Sequence, residues 1–165
     1  MLDAMSASPT IKGMYIDGSW VPAARTFEDL NPSDNSLYAR IPDGSVEDVR
    51  RAIKAAKAAF PAWSNLRFHD RAHYLLKIAD VWESRKDDFV AAAVAEGGGW
   101  FGKGVFEAGY VAEVFRSAAA LCYQNIGEIL PSEHGKLSMA TRWPLGVISV
   151  ISPWNMPGIL TSRGF

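Results

Sequence analysis

Asn155 stands between Pro153 and Pro157, directly after the β-branched run 147–151. An asparagine held in a stiff loop offers two uncharged N–H donors. Such a donor can stabilise a developing oxyanion without quenching a nearby thiolate. The same spacing suits a plain turn in which the side chain bonds its own backbone, and spacing alone favours neither. Residues 97–102, Gly-Gly-Gly-Trp-Phe-Gly, match the G-x-G-x-x-G spacing of a phosphate cradle and, with Lys103, most of a P-loop. Both cradles need a strand before the loop, whereas an alanine-rich helical pattern precedes this one, and Gly104 stands where a P-loop needs Ser or Thr. A hinge between two helices is the better reading. His69 and His73 share a helix face, but Asp70 replaces the glutamate of the zinc-protease pattern and no third ligand is evident; no metal is expected. Cys122 lies mid-helix on an apolar stripe with no base beside it, so core packing is expected rather than nucleophilic attack. His134 falls in a polar turn and reads as solvated.

These groups need elements to hold them. Met14-Tyr15-Ile16, Asp17-Gly18 and Ser19-Trp20-Val21 read as two short strands around a tight turn. Residues 31–35, Asn-Pro-Ser-Asp-Asn, form a second turn cluster, and a short strand over 37–41 ends at Pro42. Ser45 with Asp48 caps a first helix whose stripe is Val49, Ile53, Ala56 and Phe60, and Pro61 is expected to stop it. A second helix begins near Asp70, which serves as its cap, and carries Leu75, Ile78, Ala79 and Trp82. The pattern continues through Phe89, Val90, Ala93 and Val94 to Glu96, with a break near Ser84. A third helix is expected over 103–126, facing Val111, Val114, Phe115, Ala118 and Cys122 inward. Residues 136–143 alternate like a strand with one face in water, and 147–151 read as a strand buried on both faces.

Composition bounds the reading. The 165 residues suffice for one ordinary domain, and 48% apolar content can fill a core. With 17 basic against 18 acidic residues, no charge excess points to nucleic acid or anionic lipid. One cysteine leaves no internal disulfide and no zinc cluster. The longest apolar run, 89–95, is too short for a bilayer, and the first dozen residues lack the apolar stretch of a signal peptide. A cytoplasmic protein is expected, with residues 1–13 as a disordered arm. A buried parallel strand needs neighbours and a crossover, so a single one at 147–151 reads as the opening of a larger α/β protein.

The stretch 143–155, Trp-Pro-Leu-Gly-Val-Ile-Ser-Val-Ile-Ser-Pro-Trp-Asn, closely resembles the aldehyde dehydrogenase superfamily. Residues 15–20 resemble its N-terminal hairpin, Asn31-Pro32 the turn after it, 96–103 its helix junction and 130–143 its oligomerisation segment. The run Ile159-Leu160-Thr161-Ser162-Arg163 resembles the branch acting on aromatic aldehydes such as benzaldehyde or vanillin. Two departures stand out: Gly97 where the family usually has Thr, and Met156 where it mostly has Phe. In that family a cysteine thiolate attacks the aldehyde, and an asparagine side chain and a backbone amide hold the oxyanion. Hydride passes to NAD or NADP, and a glutamate activates the water that releases the acid. The resemblance assigns Asn155 as the oxyanion donor. It places Ser152, Pro153 and Trp154 along the cofactor, chiefly through the backbone. The family's nucleophile, base and cofactor glycine motif match nothing in these residues, Cys122 included.

The fold implied is α/β, aldehyde dehydrogenase-like and truncated. An N-terminal hairpin and the helical part of the cofactor-binding domain occupy 14–129. Oligomerisation strands follow over 130–144, and the first strand and loop of a dinucleotide-binding core over 145–165. The function implied is that of the N-terminal part of an NAD(P)-dependent aldehyde dehydrogenase, a homo-oligomer acting on a small aldehyde and inactive as an isolated chain. The competing reading is a non-catalytic oligomerisation module; a small zinc hydrolase using His69 and His73 is a distant third.

Overall fold

The computed structural model describes residues 13–164; the expected arm, Gly13 apart, lies outside the described residues. Strands β1 (Met14–Ile16) and β2 (Ser19–Val21) pair antiparallel. Asp17 and Gly18 both take positive φ, 53° and 75°. Two left-handed residues in succession make the hairpin turn whose twist matches the flanking strands. Tyr15 packs edge-on against Trp20 across the pair, ring centroids 5.1 Å apart.

Strands β3 (Thr26–Leu30) and β4 (Leu37–Pro42) form a second hairpin. Its turn is built by short polar side chains. Asn31 Oδ1 accepts from the Ser33 N–H and Asp34 Oδ1 from the Ser36 N–H, each at 2.9 Å, and Asn35 turns at φ 59°. The sequence reading foresaw the turn and β4 but not β3, which is mostly exposed, lacks clean alternation and owes its form to the β4 ladder.

Helix α1 (Val46–Ser64) begins with the expected cap: the Asp48 N–H donates to Ser45 Oγ, and the Ser45 N–H donates back to Asp48 Oδ2 at 2.9 Å. Pro61 does not stop it. The helix runs through to Ser64, and the Asn65 N–H donates to the Pro61 carbonyl at 3.2 Å. Proline removes one backbone donor, but its φ is compatible with a helix. Close to the C-terminal end the loss is confined to a single bond.

Helices α2 (Phe68–Ser84) and α3 (Lys86–Ala95) are separated at Arg85, where the break was expected. Asp70 is not a backbone cap. Its carboxylate accepts from the Arg67 guanidinium at 2.7 and 3.1 Å, which holds it below the usual carboxylate range. Helix α4 (Phe101–Leu121) ends five residues before the expected Ile126. The core lies where Ala72, Leu75 and Ala79 of α2 meet Val111, Ala112, Phe115 and Ala119 of α4. Small residues on both faces let the helices approach closely. The Trp82 indole N–H donates to the Ala108 carbonyl at 2.7 Å, and Arg116 pairs with Glu83 across the helices. Ile78, expected inside, is 40% exposed. It lies at the edge of the stripe and lines an open cleft with Tyr74 and Trp82.

Strand β5 (Gly127–Leu130) pairs antiparallel with β6 (Ser138–Thr141), forming a ribbon that is almost entirely exposed. β6 falls inside the expected 136–143. β5 begins three residues before the segment boundary read at 130, because pairing with β6 defines it.

Residues 147–151 join no ladder among the described residues, and Val147, Ile148, Val150 and Ile151 are all exposed, Ile151 by 92%. The expected burial on both faces is therefore corrected. A strand is made by its neighbours, and the described residues place none beside this run. Helix α5 (Pro157–Ser162) closes the chain, and its Ile159 inserts into the α2–α4 core.

Candidate functional site

The Trp154-Asn155-Met156 turn lies between the unpaired run and α5. Pro157 opens α5 at its first turn, where a missing N–H costs nothing and the fixed φ suits the helix. Ser152 is tied to the helix on the other side of the turn, its hydroxyl 2.5 Å from that of Thr161. The turn is thus gripped from both ends, while Asn155 itself is exposed and its carboxamide makes no hydrogen bond within the described residues. Trp154 is 87% exposed, and Pro153 is open as well. Asn155, Ser152, Pro153 and Trp154 are therefore brought together in one presented loop. Asn155 does not spend its side chain on its own backbone, as a plain turn residue would.

The third grip comes from Glu107 of α4, which the sequence reading missed. Its side chain is fully buried. Oε1 accepts from the Gly158 N–H at 2.7 Å and from the Ile159 N–H at 3.3 Å, and Oε2 meets Lys103 Nζ at 3.2 Å. The amides at the start of a helix lack internal partners and carry partial positive charge. A carboxylate there satisfies them, and Lys103 supplies the opposite charge that a buried acid requires. Gly158 permits this approach: a Cβ there would stand 2.8 Å from Phe89 Cζ and 3.3 Å from Glu107 Oε1. The sequence did hold the signal. Glu107 falls on the stripe continued by Val111, Phe115 and Ala119, an acid where apolar residues belong, four residues after Lys103.

The other candidates are dispersed. Of residues 97–102, the first four lie between α3 and α4 and the last two open α4; Gly98 turns at φ 62°, and Lys103 is committed to Glu107. That is the helix hinge, with no strand ahead of it. Beside it, shielding of the Glu96 carboxyl, and then the charge of Asp29, push Glu96 above the usual range although the residue keeps contact with solvent. Burial, then Glu96 and Asp29, likewise push the Tyr38 hydroxyl up. His69 Nε2 lies 3.6 Å from Asp70 Oδ1, and its ring stands edge-on to Phe68. Among the described residues no group of three His, Cys, Asp or Glu side chains is placed to hold a metal ion. Cys122 sits at the C-cap of α4 rather than mid-helix, partly buried against the core, its thiol 3.6 Å from the Ala118 carbonyl. His134 is exposed, as read.

The Aldehyde dehydrogenase family pattern matches residues 20–165. A vanillin dehydrogenase of Pseudomonas fluorescens is 39% identical over 155 residues, covering 91% of this chain and 32% of the relative. A salicylaldehyde dehydrogenase of Pseudomonas putida is 34% identical over 156 residues, again 91% of this chain and 32% of the relative. Among solved structures, the lactaldehyde dehydrogenase of Escherichia coli superposes with a TM-score of 0.91 at 34% identity, covering 94% of this chain and 33% of that one. The salicylaldehyde dehydrogenase of Pseudomonas putida G7, complexed with salicylaldehyde, gives 0.88 at 33% identity, covering 93% and 32%. The chain spans about a third of the length of the curated relatives it matches, at their N-terminal portion. Its helices and hairpins thus follow the expected α/β architecture of those proteins. With the family pattern running from the first hairpin through the Asn155 turn, the chain belongs to the aldehyde dehydrogenase family.

Proposed function

We propose that this chain is the N-terminal part of an enzyme that oxidises an aromatic aldehyde to its carboxylic acid with NAD or NADP as hydride acceptor. The observation that carries the reading is Asn155, an exposed and unspent carboxamide on a turn gripped by Ser152, Pro157 and Glu107. As a nucleophile adds to the aldehyde, negative charge grows on the carbonyl oxygen. A donor already aimed at that oxygen stabilises the transition state more than the ground state. Asn155 supplies that donor, and because it is neutral it leaves a neighbouring thiolate reactive. A bound nicotinamide supplies the hydride acceptor. Residues 152–154 suit such a group: Pro153 and Trp154 are exposed, and the Trp154 ring offers an open apolar face. The aromatic class of substrate rests on the vanillin and salicylaldehyde dehydrogenases among the relatives and on the 159–163 run.

The exposed β5–β6 ribbon, with Ile129 75% and Met139 60% open, supports a second element of the proposal. The segment 130–144 joins copies of the protein by strand pairing at an unpaired edge. The same ribbon favours the second reading, a non-catalytic oligomerisation module. No helix among the described residues is long and apolar enough to cross a membrane. A cytoplasmic location belongs to the proposal and is supported by a single cysteine with no disulfide framework.

The test is Asn155→Ala in a full-length enzyme carrying these residues, with NADH or NADPH formation followed, with either cofactor, on benzaldehyde, vanillin and an aliphatic aldehyde. Turnover should fall by roughly 10²–10³ with cofactor affinity little changed. Unchanged turnover, or collapse of cofactor affinity, returns Asn155 to a turn role. A parent protein that makes neither NADH nor NADPH from any aldehyde leaves the oligomerisation module as the reading.

A further inference from the structure

We propose that Glu107 is the positioning residue for the Asn155 turn, acting from α4 through the first amides of α5. The inference rests on the reading of Asn155 as the oxyanion donor and deepens it. Helix α5 has only six residues and cannot hold its own orientation. Ile159 anchors its middle in the core, and what orients its first turn is a fully buried carboxylate that takes the Gly158 and Ile159 amides on one oxygen and Lys103 on the other. Two residues, Met156 and Pro157, separate the nearer of these amides from Asn155, and Pro157 stiffens the connection between them. Displacement at Gly158 is therefore passed to Asn155 rather than absorbed. An acid at this depth is a costly way to fill space. Burying it is favourable only when its hydrogen bonds and countercharge are in place; here Lys103 supplies the countercharge from α4, and both bonds of Oε1 go to the base of the turn. The arrangement makes the direction of the Asn155 donor depend on a side chain that touches neither substrate nor cofactor.

Glu107→Ala and Glu107→Gln separate this from a packing role. Amide exchange on the 165-residue chain should show Gly158 and Ile159 exchanging roughly 10–100-fold faster in Glu107→Ala, as expected for losing bonds to a charged acceptor. Exchange at Ala79 and Ala112 in the core should change far less. In the full-length enzyme, kcat should fall by ~10²-fold with the KM for the dinucleotide unchanged. Glu107→Gln keeps the size and one acceptor oxygen, and should recover most of both losses; it also serves if the alanine variant does not fold. Asn155→Ala combined with Glu107→Ala should be no worse in kcat than Asn155→Ala alone. Unchanged exchange at Gly158 and Ile159, or acceleration spread equally through the core, overturns the role of Glu107. Local acceleration in Glu107→Ala alongside normal turnover of Asn155→Ala shows instead that the oxyanion reading has failed, and the positioning role falls with it. An additive loss in the double variant also overturns the proposal, because Glu107 then acts on turnover by another route.

Discussion

Helices α1 and α4 carry apolar stripes of the same periodicity, yet α4 buries Val111 and Phe115 to 1% and 6% exposure while α1 leaves Val49 and Ile53 at 56% and 51%. The difference lies in what stands opposite. Helix α4 is flanked by α2, α3 and α5, and its alanines let those helices close on it. Helix α1 faces an open cleft of about 560 Å³, bordered by its own Ala56, Phe60 and Trp63 and by Val147, Ile148 and Val150 of the unpaired run. Two apolar surfaces thus look at each other across this cleft. A helical stripe declares that a face wants cover; only the surrounding elements determine whether cover exists.

The sharpest way to break this comparison is to truncate one residue on each stripe. Phe115→Ala should cost about 3–5 kcal/mol, transfer and cavity terms together. Ile53→Ala should stay within about 1 kcal/mol, since half of that side chain is already in water. Urea unfolding with constant m-values measures both, and equal losses would mean that α1 is covered in solution. A second expectation concerns the uncovered surfaces. They should drive the 165-residue polypeptide to self-associate, because contiguous exposed apolar patches do so. The double variant Val49→Glu, Ile151→Glu should shift sedimentation toward the monomer. A parent chain that sediments as a monomer at all concentrations, with strongly protected amides through 147–151, would contradict the contrast between the two regions.

The smallest effect tests the hinge that leads from α3 into the covered helix α4. Glu96 is raised in the folded chain by shielding and by Asp29, so the folded state holds its proton more tightly than the unfolded one. Its contribution is present below the ordinary glutamate range and is lost as pH rises through the raised value. Glu96→Gln should therefore flatten the fall in unfolding midpoint over that window and raise the midpoint slightly at neutral pH. Thermal unfolding at a series of pH values reads this directly, and an unaltered slope would mean that Glu96 is fully solvated. Surface carboxylates such as Asp48 and Glu83, held low by Ser45 and Arg116, act with the opposite sign and lose their contribution as pH falls.

Much of the chain was legible because its signals are local. The Asp17-Gly18 turn, the Ser45–Asp48 cap, the break before Lys86 and the hinge at 97–102 each depend on a few adjacent residues whose conformational preferences suffice. Pro61 was misread because a proline near a helix end forfeits only one bond. β3 and β5 escaped notice because a short exposed strand is defined by its partner's ladder rather than by its own pattern.

At the candidate site the sequence by itself determined that Asn155 sits in a proline-stiffened turn and that Ser152, Pro153 and Trp154 lead into it, since prolines restrict the backbone wherever they occur. Only the tertiary structure decided that Glu107, far away in the chain, would be buried beneath that turn with Lys103 beside it and two α5 amides on its oxygen. It also decided that 147–151, whose composition asks for burial on both faces, stands open among the described residues. Both outcomes have one physical reason: a backbone preference belongs to neighbouring residues, whereas the free energy of a buried charge or an apolar strand is set by whatever the fold brings against it.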